Sequence, residues 1–332
     1  MRIIVMGAGP IGGIIGGRLA RQGNDVTLVD VDPEHVRAIR ERGLQVDVPD
    51  GSFNISVPVV FPGEIRGKFD VGFIAVRSYH TKDALASLAS HLSENAVLIS
   101  LQNGVNPPLL EEAVGPDRAI GAAIRMGSRR VGPGHVETAA RGRLYVGHLD
   151  GRTTPQLETV HSLLDAVIPT EMTDNVLGWL WSKLTYTCLG FFGSLADEPL
   201  KVICETEANR RLCVDFFAEV TGVGVAVGVR FEPLAEYDPL AFHPSRPLDA
   251  RLAALDDMGR HWQSDDRKAP VDQLQRGVRT EVDYTVGYVV QEGARIGVPT
   301  PLCGTVVRII HEIGERKRVL QLQNYAEFAK GG

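Results

Sequence analysis

Gly7, Gly9 and Gly12 stand in the order G-x-G-x-x-G directly after the apolar run Arg2-Ile3-Ile4-Val5-Met6. That spelling alone is common, but its setting narrows it. A buried strand precedes the loop, a helix follows it, and Asp30 stands eighteen residues beyond Gly12 at the end of a second strand. In such a unit Gly7 makes the tight turn, Gly9 lets the backbone approach a pyrophosphate, and Gly12 lets helix and strand close on each other. Pro10 and Ile11 open the helix, whose unpaired amides and positive dipole end receive the phosphates. A carboxylate at Asp30 accepts the ribose hydroxyls of NAD and repels the 2′-phosphate of NADP. The residues that follow it are Val31 and Asp32. Gly7, Gly9, Pro10, Ile11, Gly12 and Asp30 are therefore the expected cofactor contacts, with NAD as cofactor and NADP as the alternative. The competing reading is that Asp30 only caps its turn.

A nicotinamide cofactor needs a partner group that handles charge on the substrate. Hydride addition to a carbonyl builds negative charge on oxygen, which a cationic proton donor stabilises and an amide or carboxylate orients. Lys183 lies in the apolar run from Trp179 to Phe192. Burying an unpaired lysine there is costly, so it either reaches the surface or serves a cleft. Glu281 falls near an expected helix start, where a carboxylate is favourable whatever its task. Asn103-Gly104 is also an ordinary turn dipeptide. Arg77, at a strand end, either meets cofactor or substrate or is simply solvated.

The elements that position these residues alternate. Arg2–Met6 reads as a strand, and Ile11 to Gln22 as a helix with Ile11, Ile14, Ile15 and Leu19 at helical spacing. Asp25 to Val31 is a second strand, and Asp32-Pro33-Glu34 caps a helix to about Arg42. Phe73–Val76, Thr81–His91 and Ala96–Leu101 continue as strand, helix and strand, so the fold class is α/β, a Rossmann doubly wound parallel sheet. Gly134–Thr138 and Leu144–Val146 are expected as antiparallel strands at the sheet's far edge. Long helical periodicities then cover 154–167, 174–192, 205–228 and 273–296. The expected division is a dinucleotide-binding domain over 1–170 and an all-helical substrate and dimerisation domain over 171–332. The stretch 230–270, with Tyr237, Phe242, His243, His261 and Trp262, reads as a long excursion or a pair of short helices, either a lid or a solvated insertion.

Composition is that of an ordinary soluble globular protein. The 332 residues are 44% hydrophobic and 23% charged, and a net charge of -6 argues against nucleic acid or an anionic membrane as partner. No run reaches the ~18 apolar residues of a membrane span, and the apolar start breaks into glycines too early for a signal peptide. Cys188, Cys204, Cys213 and Cys303 show no metal or redox spacing and read as buried free thiols. The expectation is a cytoplasmic protein with no metal, and the helical second domain suggests a homodimer.

Six motifs, taken together, resemble the ketopantoate reductase family over essentially the whole chain. They are Gly7-Ala8-Gly9-x-x-Gly12, Val76-Arg77-Ser78-Tyr79, Leu101-Gln102-Asn103-Gly104-Val105, Trp181-Ser182-Lys183-Leu184, Thr280-Glu281-Val282-Asp283-Tyr284 and Gly297-Val298-Pro299-Thr300-Pro301. The resemblance implies a Rossmann domain plus a helical domain like the C-terminal domain of 6-phosphogluconate dehydrogenase, and NAD(P)H-dependent reduction of a 2-oxo acid in the cleft between them. It assigns Lys183 as general acid, Glu281 to substrate binding, and Asn103 to the vicinity of nicotinamide and substrate. It also implies that Arg77 stands where many members have lysine, and that Val31 replaces the basic residue of NADP-type members.

Against that pattern, asparagines expected four and eight residues after the lysine are Thr187 and Phe191, and a serine expected before the glutamate is Ala269, beside Lys268. Three polar substrate contacts are altered together, so a substrate other than ketopantoate is expected. The reading is hydride transfer between nicotinamide and a small 2-oxo or 2-hydroxy acid or related alcohol. Two alternatives stand beside it: 2-dehydropantoate 2-reductase activity, which makes pantoate for pantothenate biosynthesis, and a non-enzymatic protein that senses NAD.

Overall fold

A computed structural model describes residues 1–235, 237–260, 262 and 269–330, and nothing of the Ala269, Ala329 and Lys330 side chains. The chain divides into two compact units, one of residues 1–102 and 106–177 and the other of 103–105 and 178–332.

The first unit runs β1 (Arg2–Met6), α1 (Pro10–Arg21), β2 (Asp25–Val29), α2 (Pro33–Arg42), β3 (Leu44–Asp47), β4 (Phe53–Ile55), β5 (Val59–Val60), β6 (Phe69–Ile74), α3 (Thr81–Leu88) and β7 (Leu92–Ser100). It continues with α4 (Pro107–Val114), β8 (Ala119–Arg125), β9 (Ser128–Gly132), β10 (His135–Thr138), β11 (Arg143–Gly147), α5 (Pro155–Asp165) and β12 (Thr170–Met172). Among the described residues the main sheet has eight strands in the order β12-β11-β8-β7-β6-β1-β2-β5. β5, β2, β1, β6, β7 and β8 are parallel, and β11 turns antiparallel to β8. Helices cover both faces of such a sheet, so its strands read as continuous apolar runs. Ile3, Ile4 and Val5 of β1 are fully buried, each contributing roughly 1.5–3 kcal/mol.

One expectation needs correction here. Gly134–Thr138 is not at the far edge of the main sheet: β10 belongs to a separate four-stranded sheet, order β4-β3-β10-β9, parallel to β3 and antiparallel to β9. Short half-exposed strands such as Phe53–Ile55 carry too little periodicity to be read locally, so the second sheet was not anticipated. Leu144–Val146 does pair antiparallel, within β11. Thr170–Met172 pairs parallel with β11, which carries the first unit to Leu177.

The second unit is helical: α6 (Val176–Gly193, whose first two residues cluster with the first unit), α7 (Leu200–Ile203), α8 (Glu207–Ala226), α9 (Leu248–Gly259), α10 (Ala269–Gln275), α11 (Val286–Ile296) and α12 (Pro301–Gly314). The continuous helix expected over 273–296 is instead broken. Gly277 takes φ +66°, Val278 N–H closes onto Gln273 O at 2.8 Å, and a single 3-10 turn at Val282–Tyr284 precedes α11. Apolar Val278 and Val282 keep the helical spacing going in the sequence while the glycine ends the helix.

The 230–270 stretch is neither lid nor solvated insertion over its first part. Phe231, Leu234, Tyr237 and Phe242 are buried, and Phe242 stacks on Phe217 of α8 at 4.4 Å. Glu232 N–H donates to Ser182 Oγ and Tyr237 Oη to Ser182 O, and the Tyr237 ring stacks on Tyr186, so the segment buttresses α6. His243 Nδ1 lies 2.8 Å from Ser245 Oγ, while His261 and Lys268 fall outside the described residues. Among the described residues no helix is long and apolar enough to cross a membrane.

Candidate active site

Ligands of doubly wound sheets bind outside the carboxyl ends of the strands, where strand order reverses. Here that point is β1, flanked by β2 on one side and β6 on the other. The end of β1 is clamped between both: Gly7 N–H donates to Val29 O at 2.8 Å, and Ala75 N–H to Met6 O at 2.8 Å. The glycine loop, Asp30 and Val76-Arg77 therefore emerge side by side from three adjacent strands.

The loop fits a pyrophosphate. Gly7 takes φ +100°, and a Cβ there would lie 2.9 Å from the backbone of Ala75 and Val76. Gly9 has no atom within 4 Å of where a Cβ would stand, an open approach on the loop's outer side. At Gly12 a Cβ would lie 1.9 Å from Gly7 O and 3.0 Å from Ala75 Cβ and Val5 Cγ1, so only glycine lets α1 pack on β1. Pro10 supplies no N–H, no side chain caps α1, and its first turn holds no acidic residue. Gly13 N–H is the first to bond back, to Gly9 O at 2.7 Å, which leaves the Ile11 and Gly12 amides at the helix mouth.

Asp30 does cap the turn. Its Oδ2 accepts from Ala8 N–H at 2.9 Å and its Oδ1 from Asp32 N–H at 3.0 Å. A carboxylate has about four acceptor sites, so these two bonds fix its orientation and leave lone pairs for ribose hydroxyls. The capping geometry is compatible with the ribose-binding reading of Asp30 and does not replace it.

Two positioning residues had escaped the sequence reading. His35, fully buried on α2, lies with Nε2 2.8 Å from Ala8 O, while Gly134 N–H donates to its Nδ1 at 2.9 Å. The Gly134 bond makes Nδ1 an acceptor and therefore Nε2 the donor, so one imidazole ties the glycine loop to the second sheet. Gln102, buried after β7, donates Nε2–H to Val76 O at 2.9 Å and to Thr81 Oγ1 at 2.7 Å. It holds the loop that carries the exposed Arg77. A histidine on an apolar helix face and a glutamine in a turn are visible in sequence, but their partners, 99 and 26 residues away, are not.

In the second unit, Asn103 is exposed in the turn between β7 and α4 and clusters with that unit. Glu281 is buried at the break before α11, where it is the N-cap of the 3-10 turn Val282–Tyr284 and not of α11, which begins at Val286; its carbonyl accepts from Thr285 Oγ1 at 2.9 Å. Between Leu180 and Gly193 every residue of α6 is buried except Lys183, Tyr186, Thr187 and Gly190. These follow the i, i+3, i+4, i+7 spacing of one helix face. The run looks apolar throughout because the helix is enclosed on every other side: Trp181 packs against Phe231 and Tyr288.

On the open stripe, the Thr187 hydroxyl donates to Lys183 O at 3.0 Å, and Gly190 has nothing within 4 Å of its would-be Cβ. Phe191 does not share the stripe: it is 3% exposed on the core side of the helix. Ala269 opens α10. Among the described residues, no three or more His, Cys, Asp or Glu cluster as a metal site, and Cys188, Cys213 and Cys303 are buried free thiols while Cys204 is half-buried.

The model for ketopantoate reductase PanE/ApbA matches residues 3–151, and that for its C-terminal part matches 175–314. The 2-dehydropantoate 2-reductase of Pyrococcus abyssi is 28% identical over 306 residues, covering 91% of this chain and 94% of that protein. The crystal structure of a PanE/ApbA family ketopantoate reductase from Ralstonia eutropha matches with TM-score 0.82 and 26% identity, over 96% of this chain and 99% of that one. A ternary structure of D-mandelate dehydrogenase with NADH and anilino(oxo)acetate matches with TM-score 0.79 at 19% identity, over 96% and 100%, a likeness of fold alone. With both family models matched in order, on a sheet whose glycine loop is shaped for a dinucleotide, the chain belongs to the ketopantoate reductase PanE/ApbA family of NAD(P)-dependent oxidoreductases.

Proposed function

We propose that this enzyme transfers a hydride between NAD, in preference to NADP, and a small 2-oxo or 2-hydroxy acid other than ketopantoate. The observation that carries the reading is the open stripe of α6. Beside Lys183 it offers a threonine whose hydroxyl hydrogen is already donated to the helix, a glycine and the Tyr186 ring. Where the family pattern has an amide donor at 187, this helix presents a methyl group and lone pairs. A site that has lost its donors no longer discriminates in favour of a substrate hydroxyl, so an apolar 2-substituent suits it better.

A bound NADH supplies the hydride. Lys183 delivers a proton to the substrate oxygen, or accepts it in the oxidative direction, and Asn103 and Glu281 orient substrate and ammonium. Arg77 supplies positive charge for a phosphate or a carboxylate.

Steady-state rates with ketopantoate, pyruvate, 2-oxoisovalerate and phenylglyoxylate test the reading. The best of the other acids is expected to exceed ketopantoate in kcat/KM by about tenfold or more. A full rate with ketopantoate would sink it in favour of the second reading, reduction of ketopantoate to pantoate, which the Pyrococcus abyssi relative supports. Lys183→Ala is expected to lower kcat by about 10²–10⁴ while NADH still binds. Unchanged turnover in that variant removes Lys183 from the chemistry.

A further inference from the structure

More charge gathers at the carboxyl end of β2 than the local sequence supplies. Asp32 caps α2 with Oδ1, which accepts from Glu34 N–H at 3.0 Å and His35 N–H at 3.3 Å. Its Oδ2 accepts from Arg130 Nη1 at 2.7 Å. Arg130 belongs to β9, 98 residues further along the chain, in the small sheet that His35 ties to the glycine loop through Gly134. The second sheet thus brings a guanidinium to a corner where the residues next to Asp30 bring none.

Arg130 is 42% exposed and Asp32 31%. Among the described residues, the bond to Asp32 uses one of the five N–H donors of Arg130, whose side chain is partly exposed. Burial pushes the Asp32 carboxyl up, but the bonds from Arg130 and from the His35 and Glu34 amides outweigh it and hold the group below the usual carboxylate range. In a dinucleotide site of this kind the acidic residue at the end of the second strand marks the ribose 2′ position, and an arginine nearby accommodates a 2′-phosphate. The hydrogen-bond chain Asp30, Asp32 N–H, Asp32 Oδ2, Arg130 links that acid to this arginine.

We infer that Arg130 is the residue that receives the 2′-phosphate of NADPH, and that its pairing with Asp32 sets how strongly the site prefers NADH. The inference rests on the dinucleotide reading of the glycine loop. Asp30 and Asp32 repel a phosphate dianion, and Asp32 also holds the guanidinium that stands at this corner. Removing the Asp32 charge frees the planar fork of Arg130 for two-point contact with phosphate oxygens. Asparagine at 32 keeps a side-chain oxygen for the helix cap, so that substitution changes charge without uncapping α2.

The test measures Kd for NADH and for NADPH, without substrate, by calorimetry on the full chain, in the unmodified protein, R130A, D32N and the double variant. R130A is expected to raise the NADPH-to-NADH Kd ratio about tenfold, and D32N to lower it about tenfold, with the gain cancelled in the double variant. A ratio unmoved by R130A, no improvement of NADPH in D32N, or an improvement that survives in the double variant overturns the inference. If the unmodified chain binds no NADH, the glycine-loop reading falls as well. If it binds NADH and the ratio stays fixed, only the role of Arg130 falls.

Discussion

Alanine at Gly9 and alanine at Gly12 should separate binding from folding, because the two positions differ in what a methyl group would meet. At Gly12 it would stand 1.9 Å from Gly7 O, against ordinary contact beginning near 3.4 Å, so the start of α1 must retreat by about 1.5 Å. The obstacle is backbone on one side and Val5 of β1 on the other, neither of which can swing away. Overpacking of this sort costs about 3 kcal/mol, and the better helix propensity of alanine returns about 1 kcal/mol. The net loss of ~2 kcal/mol lowers Tm by about 4–8 °C in a unit of this size.

At Gly9 the methyl meets nothing within 4 Å, and the backbone sits at φ -65°, open to any residue. Stability should hold or rise by a few tenths of a kcal/mol as the unfolded chain loses freedom. The same methyl occupies the approach of the pyrophosphate. Losing about two charge-assisted amide bonds weakens NADH by roughly 10²-fold. Differential scanning fluorimetry with NADH titration reads both quantities. A G9A protein that melts about 4 °C low or binds NADH within about twofold of the unmodified chain refutes this account of the loop, as does G12A with an unchanged Tm.

His35→Leu should cost about 2–4 kcal/mol, since it strands the Gly134 N–H and Ala8 O in a dry interior, and it should weaken NADH by releasing the loop; urea denaturation and the same titration check both. Stability should also vary with pH through two carboxylates of opposite sign. Hydrogen bonds from Gln45, Ser52 and His135 hold Asp47 down to about 2 from its ordinary 3.8, so its contribution is complete above 3.8 and is lost as pH falls toward 2. Glu219 moves the other way. Burial raises it from 4.5 against the opposing bonds from the Cys303 and Leu302 amides at the start of α12, so the protonated fold is favoured and stability declines as pH rises through the raised value. Melting curves of Asp47→Asn should lose the acid-side slope, and those of Glu219→Gln the opposite one; an unchanged profile in either variant contradicts the assignment.

The parallel sheet was legible through the apolar runs in β1, β2 and the second half of β7, a pattern imposed by burial on both faces, whereas β6, interrupted by Asp70 and Gly72, was expected at Phe73–Val76 and runs Phe69–Ile74. Asp32-Pro33-Glu34 announced α2, and its side chain caps that helix as expected. The second sheet was not legible, because β3, β4, β9 and β10 are three to five residues long and depend on pairing partners up to ninety residues apart. The break before α11 was hidden for a different reason: apolar spacing continued across Gly277 although the backbone did not. On α6 the apolar run made Lys183 look out of place, and only the burial of the other residues between Leu180 and Gly193 shows that it shares an open stripe with Tyr186, Thr187 and Gly190.

Cofactor preference shows where reading a window of neighbouring residues stops working. Val31 and Asp32 argue for NAD because neither is a cation, yet a phosphate responds to charge in space, and the charge that matters here stands on another sheet. Arg130 reaches Asp32 only because β9 pairs with β10, β10 pairs with β3, and His35 fastens the start of β10 to the glycine loop. The same acid that argues against NADP in the sequence holds the cation that would welcome it. On the proposed reading, preference in this site is a balance between Asp30 and the pair Asp32–Arg130, and one neutralised carboxylate should move it about tenfold while the glycine loop stays as it is.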